Sequence, residues 1–190
     1  MSIIEFDGIS IHSCEGVYQP SDDTFLLMKN ADPGHTIIEI GCGTGIVSLY
    51  FSKLGHDVVA VDISERAVEC TLKNARANGI KLKAFRSDLF SNVSGTFDSV
   101  LFNAPYLPSE DNVPEATQWN GGAGGIEVAS RFLSEAANHL NRGGTIFLVL
   151  SSLSDVSKLK SMHRNYAFEN IAKASFFYEE ILLFRLALAR

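Results

Sequence analysis

Apolar and polar positions divide this 190-residue chain into short blocks of changing period. Ile37-Ile38-Glu39-Ile40 is a compact apolar run, the mark of a buried strand. A helically spaced stretch from Ile46 to about Leu54 follows, with Gly55 as its C-terminal stop. His56 to Asp62 predicts a second strand. Ser64 then caps a helix that carries Ala67, Val68, Thr71, Leu72 and Ala75 on one face, with Gly79 past its end. Lys81 to Arg86 alternates strictly with charges on one side, as an edge strand protected by cations does, and Ser87-Asp88-Leu89-Phe90 closes it. Phe97 to Phe102 predicts a further strand that runs straight into Asn103-Ala104-Pro105-Tyr106. Residues 109–125 read as a long loop, a feature that is usually functional. The stripe Ile126, Ala129, Phe132, Leu133, Ala136, Ala137, Leu140 predicts a helix. Gly143-Gly144 then turns into Thr145 to Leu150, a nearly continuous apolar run typical of a central strand. A helix near Ser154 to His163 and a hairpin, with strands near Phe168 to Phe176 and Glu180 to Leu188, follow. Ahead of all this, pieces such as Ile9-Ser10-Ile11-His12 suggest a small hairpin or an extended arm. Ser21, with Asp22 and Asp23 in the first turn, starts a capped helix that turns Phe25, Leu26 and Met28 inward.

Strands and helices alternate through residue 163, which implies a doubly wound α/β sheet, mostly parallel, with helices on both faces. The last hairpin adds an antiparallel strand. The length fits one domain over residues 1–190, with an arm and lid helix over 1–33 and a core over 34–190. A net charge of −6 argues mildly against free nucleic acid as a partner, because such partners call for a basic stripe. Cys14, Cys42 and Cys70 form no C-x-x-C pair. That spacing offers no ordinary zinc site, makes a disulfide framework unlikely and suits a reducing cytoplasm. No basic segment opens the chain as a signal peptide would, and no apolar run approaches the length of a membrane span.

In a doubly wound sheet, ligands bind beyond the carboxyl ends of the strands. Four signals fall on such ends. Gly41-Cys42-Gly43-Thr44-Gly45 follows the first core strand, where glycines permit a tight turn and close approach, and the helix start presents N–H groups to a ligand. Its G-x-G-x-G spacing differs from the dinucleotide G-x-G-x-x-G. With Glu39 at the strand end, it favours S-adenosylmethionine over NAD. Asp62, after the second strand, is placed to accept ribose hydroxyls, and Asp88, after the third, to accept an adenine amine. Cys42 reads as a small loop filler, since no base lies near it in sequence. Asn103-Ala104-Pro105-Tyr106 is the fourth signal. A planar nitrogen has a delocalised lone pair. To accept a methyl group its N–H bonds must be held so that the lone pair faces the sulfonium. An asparagine oxygen and a neighbouring carbonyl can accept the two hydrogens, Pro105 fixes the backbone, and Tyr106 offers a face for stacking.

Glu39 to Gly45 together with Asn103 to Tyr106 resembles class I methyltransferases that modify planar nitrogens. Val17-Tyr18-Gln19-Pro20-Ser21-Asp22-Asp23-Thr24-Phe25-Leu26-Leu27 and Trp119 with Gly121 and Gly122 narrow the likeness. They are similar to the HemK-related protein-glutamine methyltransferases, in the short archaeal and eukaryotic branch. That resemblance implies a Rossmann-like seven-stranded sheet in the order 3-2-1-4-5-7-6. It also implies methylation of the glutamine amide in the Gly-Gly-Gln motif of a class I release factor. Tyr18, Thr24, Glu39, Gly41, Cys42, Gly43, Gly45, Asp62, Ile63, Asp88, Leu89 and Asn103 would contact S-adenosylmethionine, with Tyr18 and Thr24 over its methionine end. Asn103, Ala104, Pro105 and Tyr106 would hold the glutamine, and no metal is expected. Ala104 stands where the family usually has proline, and Ala123 where a charged residue is frequent. The branch works with a small zinc-binding activator, which would add a strand beside residues 81–86. Two readings stay beside this one: an adenine amino-group methyltransferase acting on RNA or DNA, and a non-catalytic subunit that binds the cofactor. A lysine acceptor is a further variant, but an ammonium needs deprotonation rather than two acceptors.

Overall fold

In a computed structural model, which describes residues 3–105 and 125–189, a seven-stranded sheet forms the centre. Its strands are β3 (Thr36–Ile40), β4 (Asp57–Asp62), β5 (Lys83–Arg86), β6 (Phe97–Asn103), β7 (Leu140–Ser151), β8 (Tyr166–Ser175) and β9 (Glu180–Leu188), in the spatial order β5-β4-β3-β6-β7-β9-β8. Counted from β3, that is 3-2-1-4-5-7-6. β9 alone runs antiparallel to its neighbours, because the hairpin returns it between β7 and β8. β5 lies at one edge, as its flanking charges predict, although the strand proper begins at Lys83 rather than Lys81.

Side chains alternate across the sheet with period two. Ile38, Ile40, Val100, Phe102, Ile146 and Leu148 face α4 (Glu127–Ala136) and α5 (Val156–Met162). Ile37, Leu101, Phe147 and Val149 face α1 (Asp22–Asn30), α2 (Ile46–Lys53) and α3 (Glu65–Ala77). The predicted helix through Leu140 ends earlier. After Ala136 a 3-10 turn spans Ala137–His139, and Leu140 already pairs with Phe97 ahead of a bulge, so β7 starts before the Gly143-Gly144 turn. The apolar stripe concealed this change because Leu140 is buried in either conformation.

The first residues form a hairpin, β1 (Ile3–Phe6) and β2 (Ile9–His12), closed by Asp7-Gly8, both with positive φ. Asp-Gly is the preferred sequence for such a two-residue turn. The outer edge of β2 is held by two asparagines one turn apart, Asn74 in the last turns of α3 and Asn78 at its C-cap. Asn78 exchanges hydrogen bonds with the backbone of Ser10, at 2.9 and 2.8 Å, and Asn74 does the same with His12, at 3.0 and 3.1 Å. Asn74 also donates to the Thr44 carbonyl at 2.9 Å, so one fully buried amide ties hairpin, helix and glycine loop together. Beyond the hairpin, Cys14 and Cys70 are joined by a disulfide across 56 residues. The bond runs against the expectation that disulfide pairing is unlikely in this chain. Spacing along the chain could not reveal the pair, because only the docking of the arm on α3 brings the two thiols together. Among the described residues no helix is long and apolar enough to cross a membrane.

Candidate functional site

The carboxyl ends of β3, β4, β5 and β6 converge on a cleft of about 1010 Å³. The glycine loop forms its floor. Gly41, Gly43 and Gly45 all have positive φ, at 71, 54 and 88°, so L side chains would strain each of these positions. Gly43 passes under the arm, where a Cβ would stand 3.6 Å from the Tyr18 carbonyl oxygen. Gly45 does not line the cleft. Its Cα packs on α3, where a Cβ would meet Thr71 Cγ2 at 2.8 Å, so its glycine serves helix packing. The loop amides are less available than the sequence suggests. Gly41 and Cys42 N–H both donate to the Val61 carbonyl, Gly43 N–H to Asp62, and Gly45 N–H to the Cys42 carbonyl. The loop therefore offers a ligand shape more than donors.

Two buried acids brace this floor. Glu39, in register with Ile37, points to the α2 side, where its carboxylate accepts from both the N–H and the hydroxyl of Ser48. Burial pushes its pKa up to about 8. The Ser48 bonds oppose that rise, and the charge of Asp62 adds to it. Asp62 accepts from Gly43 N–H at 3.0 Å with one oxygen and from Ser64 N–H at 2.9 Å with the other. Burial raises its pKa, against the pull of those backbone bonds. Each carboxylate oxygen has a second lone pair, so acceptor capacity toward the cleft remains. Cys42 is buried, and burial pushes its thiol well above the usual range, an environment unsuited to a nucleophile.

On the far wall, Asp88 is exposed and paired with Arg131 of α4 at 2.9 Å, and both line the cleft. Leu89 holds a left-handed φ of 48°, rare for a non-glycine residue and frequent at functional turns. Ile63 lines the opening with much of its side chain exposed. The near wall is the arm. Tyr18 donates its hydroxyl to Asp23 at 2.8 Å, and Asp23 accepts from the backbone and hydroxyl of Thr24. Burial first, then Asp23, raises the Tyr18 phenol. Asp23 is buried and lines the cleft, yet the sequence presents it only as a first-turn acid. Arg131 and Asp23 are among the polar cleft residues that the sequence did not mark as part of the site, as are Glu65, Arg66 and Ser87. Aspartate directly before the named Thr24 was the available signal for Asp23, and nothing local marked Arg131.

Asn103 ends β6 on the α1–α2 side, in line with Leu101, and Ala104 and Pro105 continue the wall. Among the described residues, Asn103 Oδ1 is buried without a hydrogen-bond partner. Such an atom costs about 1–3 kcal/mol unless something else supplies a donor. Tyr106, Trp119 and Ala123 lie outside the described residues.

An α/β sheet of this order with a glycine-floored cleft at its carboxyl rim defines a class I methyltransferase. The chain belongs to the methyltransferase small domain family, whose model matches residues 9–178, and it is an S-adenosylmethionine-dependent enzyme of the HemK type. A Methanocaldococcus jannaschii protein, provisionally named a protein N5-glutamine methyltransferase, is 38% identical over 95% of this chain and 96% of its own length. The mouse methyltransferase HEMK2 is 32% identical over 70% of this chain and 71% of its own. Among solved structures, the E. cuniculi Mtq2–Trm112 complex, described as responsible for methylation of the eRF1 translation termination factor, aligns with a TM-score of 0.71. It does so at 21% identity over 92% of this chain and 99% of that one, a likeness of fold. Ribosomal RNA methyltransferases match too. That of Chromohalobacter salexigens is 30% identical over 78% of this chain and 44% of its own length.

Proposed function

We propose that this enzyme methylates the side-chain amide of a glutamine in a protein, and that the protein is a class I release factor presenting its Gly-Gly-Gln loop. The observation that carries the reading is Asn103 Oδ1, a buried acceptor at the cleft wall with no donor among the described residues. A primary amide supplies the missing N–H. In this reading the Ala104 carbonyl accepts the second amide hydrogen and Pro105 keeps the two acceptors at a fixed angle. From its place in the motif, Tyr106 would offer its ring to the amide plane. Held this way, the nitrogen lone pair points along the cleft, and the gain is one of orientation.

The cleft residues suit the cofactor. A Cβ at Gly43 would narrow the floor beneath the arm, Asp62 keeps lone pairs for ribose hydroxyls, and Asp88 can accept an adenine amine. When bound, S-adenosylmethionine supplies an electrophilic methyl group on a sulfonium. Tyr18, Asp23 and Thr24 close over its methionine end, and Cys42, Ile63 and Leu89 line its adenosyl end. Glu39 acts one step back, by holding Ser48 and thus the start of α2. A small zinc-binding activator is the proposed partner, and the edge of β5 not paired with β4 is where it would add a strand. Such a pair works with the translation machinery in the cytoplasm.

The test is methyl transfer from S-adenosylmethionine to a purified class I release factor, with and without the activator, read by mass spectrometry of the Gly-Gly-Gln peptide. One added methyl on that glutamine is expected. A cofactor-loaded enzyme that leaves the glutamine unmodified overturns the reading. An adenine amino group presents the same planar N–H geometry, and the ribosomal RNA methyltransferases among the matches support an RNA base as a second class of acceptor without pointing to adenine. Transfer to RNA without transfer to protein would establish it.

A further inference from the structure

Among the described residues two hairpins close through two-residue turns, and they treat those turns oppositely. At β1–β2 the turn is Asp7-Gly8, with both residues at positive φ. At β8–β9, Ser175 pairs with Glu180 and Phe176 N–H bonds the Glu179 carbonyl at 2.7 Å, which leaves Phe177 and Tyr178 at the tip. Neither has the positive φ that primed turns use, and aromatic residues do nothing for a turn that Asn-Gly would do better. Phe177 is 89% and Tyr178 85% exposed, their rings meeting edge to face at 4.5 Å, while Phe176 and nearby Leu153 are about half exposed. Local structure does not call for these side chains, and an apolar group of this kind on a polar rim is the composition of a binding anchor.

Its position says what it would bind. Asn103 pairs with Val149, and Val149 with Leu183, so β9 leads from the tip back to the level of the site. Two strand spacings and five residues of strand put the tip about 10 Å to the side of Asn103 and about 16 Å beyond it. A glutamine side chain at Asn103 cannot reach that far, but the body of a folded protein carrying it can, since a standard interface covers about 800 Å² on each partner. Ser152 bonds Glu180 through both N–H and hydroxyl, at 2.8 and 2.9 Å, so the hairpin base is fixed to the rim. Charge selects protein over nucleic acid. Glu179 and Glu180 flank the tip, and Lys173 is engaged by Glu180 at 2.6 Å. The activator edge, β5, lies at the opposite side of the sheet from β8 and leaves this rim clear.

We propose that the Phe177–Tyr178 tip anchors the body of the protein substrate while its target side chain reaches Asn103, an inference that rests on the protein-glutamine reading. The variant Phe177→Asn/Tyr178→Gly installs a favourable turn and touches nothing in the cleft, so it should fold and bind S-adenosylhomocysteine as the wild type does. Calorimetry in the presence of S-adenosylhomocysteine would compare its affinity for a class I release factor with that of the wild type, beside methyl transfer. At least a tenfold weaker Kd, with KM raised and kcat held, is expected. Equal Kd values overturn the anchor even if transfer proceeds. Binding by the wild type alone, without transfer from either, faults the glutamine reading and leaves the anchor standing. A variant that loses ribosomal RNA instead of release factor overturns the proposal in favour of base stacking by the two rings.

Discussion

The two halves of the carboxyl rim are built on different terms. On the β3–β4 half, the polar groups named above are engaged within the protein: four loop amides, both oxygens of Asp62, and the carboxylate of Glu39. On the β6 half, Asn103 carries a buried oxygen with no partner among the described residues. The first half is prefolded without help, and its shape and spare lone pairs select a cofactor. The second is completed only when something brings an N–H. A finished frame beside an unfinished one suits an enzyme that must hold its methyl donor firmly and discriminate among acceptors. A buried acceptor built for an N–H rejects a group that lacks one.

The hardest test of that contrast is Asn103→Ala. It should lower the single-turnover methylation rate about 10²- to 10³-fold, the scale of losing a positioned polar group, while S-adenosylmethionine affinity by calorimetry changes less than about twofold. Comparable losses in both measurements would mean that the two halves are not separable. Asp62→Ala should do the reverse. Kd for S-adenosylmethionine should rise about 10- to 100-fold, with the rate at saturating cofactor largely kept, because the substitution removes an acceptor and also frees the Gly43 amide that shapes the floor.

Smaller effects should come from the arm, where sequence reasoning was weakest. The glycine loop, Asp62 and Asn103 were legible because each is a local event: a turn, a strand end, a four-residue motif. The strand order became legible only through the family resemblance, and the edge position of β5 through its alternating charges. By contrast, Cys14–Cys70, Asn74–His12 and Asp88–Arg131 span 56, 62 and 43 residues. No local pattern encodes such pairs. They exist because the arm and α4 dock where they do, and α3 read as an apolar stripe although its most connected residue is Asn74. Reducing the disulfide with dithiothreitol should destabilise the fold by about 2–4 kcal/mol in urea titration. It should also weaken S-adenosylmethionine binding several-fold, since the staple holds the segment that leads to Tyr18. Cys14→Ser should reproduce both changes and make the protein indifferent to dithiothreitol. Unchanged affinity would show that the arm closes without it.

The remaining effect concerns Glu39, the acid that finishes the cofactor half. Its folded pKa, about 8, lies above the ordinary glutamate value of 4.5, because burial disfavours the charge more than Ser48 restores it. A group whose pKa rises on folding binds its proton more tightly in the native state. Its contribution to stability is therefore complete below about pH 4.5 and is lost as pH climbs through about 8. Glu39→Gln keeps an oxygen for Ser48 and cannot ionise, so the wild type should lose thermal stability relative to this variant between pH 5 and 8.5, on the order of 10 °C for a chain of this size. His163 shifts in the opposite direction, is common to the two proteins and cancels in the difference; Asp62 shifts in the same direction and, being coupled to Glu39, cancels only in part. A difference in melting temperature that stays flat with pH would mean that Glu39 is ionised throughout. The floor of the cofactor half would then carry a second buried negative charge beside Asp62, and its selectivity would have to be electrostatic as well as steric.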